Sequence, residues 1–308
     1  ERILEGLGYS PDTQIAGKDA SERKTEGPTT EEMLTDFQRQ VRLIAVRAAA
    51  RRGRPMLVAA RIPTTISRCR HIGIDIRRWL QEDLLDLMSL GGGYVPLTTD
   101  WSQMVNLGHH HGLPVYPVIS NSGLRERYSA IESWRAATMN ARRSGADGVY
   151  LFNHFQNAGW PPADYQRRLK AFSSLTELCK LPRRHVVTHR EVVVPGENYR
   201  APLPATGREL SFQLPLGPTP PADWRAEAII EMALNDGHFE TPRVSVNDVA
   251  AEFAKAQSLE HGNRLLTFAI PTSALPGKNS DTIKFTVAAE ELIKLLGVEV
   301  RVFPPPGQ

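Results

Sequence analysis

The pattern of hydrophobic residues predicts an α/β region built on a parallel sheet, followed by an all-β region patterned like a sandwich. Three observations predict it. Up to about residue 181, stretches with an apolar residue every three or four positions alternate strictly with short unbroken apolar runs, as in helices and in strands buried on both faces. Beyond a linker marked by Pro182, Pro195, Pro202, Pro204 and Gly207 the period drops to two, as in antiparallel strands with one face in a core. At 308 residues, 41% hydrophobic and 23% charged, the chain has the composition of a globular protein with room for two cores. The expected organisation is an irregular lead-in over 1–28, an α/β unit over 29–181, a linker over 182–207 and a β-sandwich over 208–308.

Order should begin at Thr29, which with Glu32 three residues on makes a capping box. Leu34, Phe37, Val41, Ile44 and Ala48 then recur at the spacing of one helix face. Residues 56–60 are the first apolar strand. Short helical stretches run through Cys69 and over 76–80, and 84–89 form the second strand, ended by three glycines at 91–93. A helix over 100–110 presents Trp101, Val105 and Gly108 on one side. The third strand, 115–119, contains Pro117, which is unusual inside a sheet. Ser129 and Glu132 make a second capping box for a helix carrying Ile131, Trp134, Thr138 and Ala141, closed by Gly145. The fourth strand is 148–152, and Tyr165, Leu169, Phe172 and Cys179 mark a last helix. Strict alternation of helix and strand makes a parallel sheet with right-handed crossovers. Four such strands form either a small open sheet or one half of an eight-stranded barrel.

In the second region Leu210, Phe212 and Leu214 alternate with polar neighbours, as do Ile283, Phe285 and Val287, and again Val298, Val300 and Val302. Asn235-Asp236-Gly237, Gly262-Asn263 and Pro276-Gly277 supply turns. Residues 226–234 are ambiguous, their alternation competing with good helix formers. Six or seven strands suffice for a small antiparallel sandwich.

Several function classes are disfavoured. The net charge of +3 is small, and the one basic cluster, Arg51, Arg52 and Arg54, stands where a helix should end and complement its dipole, so no nucleic-acid partner is expected. No run of apolar residues reaches the length of a membrane span. The two cysteines, Cys69 and Cys179, have no metal or redox spacing, and Cys179 reads as a buried free thiol. The first residue is Glu1 with no leader after it, so localisation stays unknown.

Three strings of residues go further. Gly73-Ile74-Asp75-Ile76, followed by Trp79, Asp83-Leu84-Leu85-Asp86 and residues 91–94, is the first; Gly112-Leu113-Pro114-Val115-Tyr116-Pro117 is the second; residues 144–153, from Ser144 to Asn153, are the third. Together they resemble a stretch of bacterial glycosyl-hydrolase-like proteins related to glycoside hydrolase family 10. The likeness extends to Ile270-Pro271, Gly277-Lys278-Asn279 and residues 283–287. The resemblance implies that the four strands are the C-terminal half of a (β/α)8 TIM-type barrel, followed by an all-β sandwich. It also implies a missing N-terminal half in the parent protein, with a strand rich in acidic residues, and a carbohydrate ligand without a cofactor. Asn247-Asp248 departs from the Asn-Gly of that group, a change confined to a turn.

In such barrels reactive groups sit at the carboxyl ends of the strands. Those positions hold Arg61, then Ser89 with Tyr94, then Ser120 with Asn121, then Asn153 with His154. Arg61 suits a sugar hydroxyl or a carboxylate of the missing half, or else an ion pair within the barrel mouth. Asn121, Asn153 and His154 suit hydrogen bonds to a sugar, or anchor their own loops. Tyr94, Tyr116 and Trp160 offer an aromatic platform, or simply pack. None of these is a carboxylate. The catalytic candidates are Glu126, in the loop after the third strand, and Asp100, in the first turn of a helix, although a surface pair with Arg125 or Arg127 and the helix dipole explain them better. His109, His110 and His111 diverge around a helix end and make no metal site, and Gly91 to Gly93 lack a nucleotide-loop continuation. The expected function is part of a glycoside-hydrolase-like protein, catalytically incomplete because a glycosidase needs two carboxylates about the scissile bond. The alternative is a non-catalytic carbohydrate-binding or structural module; a nucleotide-binding α/β protein lacks its glycine fingerprint.

Overall fold

A computed structural model describes residues 28–92, 95–120, 130–153, 169–170, 172–187, 201–233, 240–276 and 281–305, and the backbone of 192–194 and 197–199. Helix α1 (Thr30–Arg52) starts on the expected capping box. The Thr29 hydroxyl accepts from the Glu32 N–H at 3.2 Å, and the Glu32 carboxylate accepts from the Thr29 N–H at 2.8 Å. Arg51 and Arg52 occupy its last turn and Gly53, at φ 64°, ends it. Its inward side is Thr35, Gln38, Ala45 and Ala48 rather than the Phe37 and Ile44 stripe, and Ile44 is 53% exposed. The cause lies beneath: Trp79 Nε1 donates to Thr35 Oγ1 at 3.1 Å and the Gln38 amide donates to the Leu84 carbonyl at 3.2 Å, so two polar residues take inward positions.

Strands β1 (Ala59–Ile62), β2 (Leu87–Leu90), β3 (Val115–Ile119) and β4 (Tyr150–Leu151) form a parallel sheet in the order β1-β2-β3-β4 among the described residues. The first two strands start about three residues later than their apolar runs, leaving Met56 and Leu57 outside β1 and exposed. Asp86 sets this register. Its carboxylate accepts from the Val58 N–H at 2.7 Å and pairs with Arg42 of α1. Asp147 repeats the arrangement two strands on, accepting from the Val115 N–H at 2.8 Å and meeting His109 Nε2 at 2.8 Å. Pro117 is accommodated because pairing to β2 ends at it and pairing to β4 begins at Val118.

Helices α2 (Ile66–His71), α3 (Ile76–Gln81), α4 (Ser102–His110), α5 (Ile131–Arg143) and α6 (Leu175–Cys179) share a single core with α1 and one face of this sheet. Trp79, Met104, Trp134 and Leu178 meet Ile62, Met88, Leu90, Val115 and Ile119 there. Cys69 is buried in it and Cys179 only half-buried, and both are free thiols. The N-cap of α5 is Ala130, without a side-chain bond, and Ser129 lies outside the described residues. Of the last expected helix, residues 161–168 also lie outside them.

The remaining strands are β5 (Arg183–Val186), β6 (Val192–Val194), β7 (Glu197–Tyr199), β8 (Ala205–Pro215), β9 (Arg225–Ala233), β10 (Arg243–Val246), β11 (Val249–Ala250), β12 (Glu252–Ser258), β13 (Arg264–Ile270) and β14 (Thr282–Phe303). Instead of two separately bonded layers, eight of these make one antiparallel sheet among the described residues, with β6 and β7 pairing apart. The 22-residue β14 is the reason. Its first part pairs with β8 and β10 and its second with β5 and β9, with register shifts after Ala288 and Leu295. The two ends of the sheet, β11 and β12, are consecutive in sequence, so the sheet curls until it is nearly closed. Phe212, Ile230, Val244, Phe268, Phe285 and Val300 fill its interior.

Residues 226–233 of the ambiguous segment are therefore strand, sandwiched between β13 and β14. Asn247 and Asp248 form the β10–β11 turn with φ 49° and 63°, a left-handed pair that short polar side chains tolerate. Within the expected linker, β5 pairs with β14 and packs on α5. Arg183 and His185 of β5 are aligned with Val302 and Val300 and face inward. Arg183 lies over the Trp224 ring at 5.9 Å and donates to the Cys179 carbonyl at 3.2 Å.

Candidate functional site

Among the described residues the helices pack on one side of the parallel sheet, and none lies on the opposite side. Residues paired across parallel strands project to the same face. Arg61 of β1 is aligned with Ser89 of β2, and Ser89 with Tyr116 of β3, so these three polar side chains form one rung. Two residues along, Val118 is aligned with Tyr150 of β4, and Phe152 follows on the same side. Apolar residues of this face, Leu87 and Val118, are not part of the helix-side core. The rung sits one residue before the carboxyl ends of β1 and β2, the end at which barrels and open sheets alike place ligands.

The groups on this face are poised rather than mutually satisfied. Arg61 is exposed, and its guanidinium carbon stands 4.9 Å from the centre of the Phe152 ring. The contact therefore spans this face, from the first strand to a ring just beyond the fourth. Ser89 is 7% exposed and its hydroxyl has no hydrogen-bond partner. A buried hydroxyl left unpaired costs free energy and is uncommon. Tyr116 is half-buried with its ring against Gly148, where an added Cβ would lie 2.7 Å from two ring carbons. Asn153, exposed and left-handed at φ 51°, turns the chain away immediately after Phe152.

Asp100 does not join them. It lies just before the N-cap Trp101 rather than inside the first turn, and its carboxylate accepts from the Ser102 N–H at 2.9 Å, which shapes the entry to α4. Tyr94, Asn121, Glu126, His154 and Trp160 lie outside the described residues. The carboxylates that are well fixed, Asp86 and Asp147, stand at the opposite, amino-terminal end of the strands. The Arg42 guanidinium holds Asp86 below the usual carboxylate range; burial works to raise Asp147, but His109 and the Val115 N–H outweigh it and leave it lowered. His109 is thus spoken for by Asp147, and no three metal-ligating side chains converge among the described residues.

Phe152 was hidden in the sequence inside an apolar run; the available signal was an aromatic residue just past a strand end. A second concavity, an open groove of about 540 Å³, lies on the antiparallel sheet. There the exposed Phe253 packs edge-on to Phe268 at 5.6 Å, beside Arg243 and a Lys284–Asp248 ion pair of 3.2 Å. Among the described residues no helix is long and apolar enough to cross a membrane. No protein-family model matches the chain, and no curated protein matches it.

Proposed function

We propose that this chain supplies the ligand-facing wall of a carbohydrate-active, glycoside-hydrolase-like protein related to family 10, and that it does not by itself carry a complete catalytic acid pair. The observation that carries this reading is the Arg61–Ser89–Tyr116 rung with Phe152 beside it, at the carboxyl ends of parallel strands on a face that bears no helix among the described residues. Hydroxyl and guanidinium donors next to an aromatic ring are the groups with which proteins hold a sugar. A sheet wound in one direction, helices on one side only, is half of what closes into a (β/α)8 barrel. An arginine of the first strand reaching a ring beyond the fourth is the contact that a wall curved toward that face brings about. The same winding has no reversal of strand order, so it offers no crevice of the kind in which doubly wound sheets bind nucleotides.

Glycoside hydrolysis needs an acid and a second carboxylate roughly 5 to 10 Å apart. Asp100 is engaged at the start of α4, so we expect no turnover of aryl glycosides or polysaccharides by the 308-residue chain. Activity abolished by Glu126→Gln or Asp100→Asn would overturn the incompleteness; activity appearing only on addition of an upstream half-barrel bearing acidic residues supports it. The second reading, a non-catalytic carbohydrate-binding module, is favoured by the groove around Phe253. Saccharide binding lost in Phe253→Ala but kept in Arg61→Gln would select it.

A further inference from the structure

The rung is charged, and among the described residues no acid answers the charge. Among the described residues Arg61 has no hydrogen bond and no ion pair, and it meets the Phe152 ring. The contact with the ring at 4.9 Å uses none of the guanidinium's N–H donors as conventional hydrogen bonds, so they stay available to an acceptor. Those donors form a rigid fork whose geometry matches a carboxylate, and the ring reduces the freedom lost when the fork is used. The neighbouring Ser89 hydroxyl, buried and unpaired, adds one more donor on the same rung, and the Tyr116 phenol flanks it. Asp100, the described carboxylate of the β2–α4 connection, is turned to the Ser102 N–H instead.

We infer that this face selects anionic saccharides, chains of uronic acids, with Arg61 forking the sugar carboxylate. The inference rests on the carbohydrate reading above and narrows it to a substrate class. A neutral sugar would leave the guanidinium fork without a matching acceptor. A free Arg61 would then be an exposed cation with no role at the centre of the face.

The test is affinity electrophoresis of the full chain at 0.15 M salt, which screens loose attraction between exposed charges, in gels containing polygalacturonate or a neutral β-glucan. Polygalacturonate should retard the protein at least about tenfold more strongly than the neutral polymer, and Arg61→Gln should lose about tenfold of that retention. Arg61→Lys, which keeps the charge but not the fork, should recover only part of it. Arg208→Gln, an exposed arginine on the antiparallel sheet, should change nothing. Thermal melts of Arg61→Gln confirm its fold; the residue is exposed and makes no bond whose loss would unfold the chain. Equal retention by both polymers, or unchanged retention of Arg61→Gln, overturns the inference and leaves the carbohydrate reading standing. Retention by neither polymer overturns both.

Discussion

Acidification should weaken this fold through one side chain, His185. The imidazole is 4% exposed and faces the β-sheet interior beside Val300. One ring nitrogen donates to the Pro215 carbonyl, while Nε2 has no partner. Burial first, and then the nearby Arg183 charge, push its pKa down to about 3. The unfolded chain titrates near 6.5. Because the folded value is the lower one, the stabilisation is whole above pH 6.5 and is lost as the pH falls below it, the unfolded state taking up the proton first. Between pH 8 and pH 5 the loss is about 1.4 × 1.5, or roughly 2 kcal/mol. The assay is urea unfolding of the protein and of His185→Asn, whose amide nitrogen can still donate to Pro215, at both pH values. The wild type should lose about 2 kcal/mol more than the variant; losses equal within about 0.5 kcal/mol would refute the buried, neutral imidazole. Carboxylates with lowered values, Asp86 and Asp147 among them, stay ionised across this window and do not confuse it.

Three further outcomes are expected. Asp86→Ala should destabilise the chain by about 1–3 kcal/mol in urea, since it strands the Val58 N–H and Arg42, and the wild-type advantage should fade as the pH drops through the carboxylate range. Gly148→Ala drives a methyl group into the Tyr116 ring and should cost about 1–3 kcal/mol on thermal or urea unfolding, with weakened saccharide retention if Tyr116 shifts. The double change Ile44→Glu and Leu57→Lys alters side chains that are 53% and 70% exposed, so stability should hold within about 1 kcal/mol while self-association in sedimentation falls; a large loss of stability would mean that these residues are packed after all.

What could be read from the sequence was whatever is written locally. The Thr29–Glu32 box, the arginines closing α1 and the alternation in β8 and β14 are each decided by residues within a few positions of one another. Strand starts were not. Met56 and Leu57 are apolar enough for a strand, but β1 begins where Asp86, nearly thirty residues away, accepts from Val58. In the ambiguous segment 226–234 alternation competed with good helix formers, and residues 226–233 are strand because both edges pair, with β13 and with β14. Arg183-Arg184-His185 does not look like a strand at all, and only the pairing with β14 makes it one. The candidate site was half-legible for the same reason. Arg61, Tyr116 and Asn153 followed from their places near strand ends, whereas the alignment of Arg61 with Ser89 and the reach to Phe152 depend on register, which no single segment encodes. Asp86 and Asp147, by contrast, hold the amino-terminal ends of strands, away from the rung at the carboxyl ends.

The long strand β14 constrains how the protein can be made. β5, β8, β9 and β10 all pair with it, and the alignment of Arg183 with Val302 joins positions more than a hundred residues apart. A nascent chain leaving the ribosome can assemble the parallel sheet unit by unit, as each helix follows its strand. The antiparallel sheet cannot close until residue 303 has emerged, and until then the four strands that await β14 present open ladder edges to the surroundings. Synthesis is therefore the interval in which this molecule is most exposed to mispairing, and chaperone dependence should track the time between translation of β5 and translation of β14.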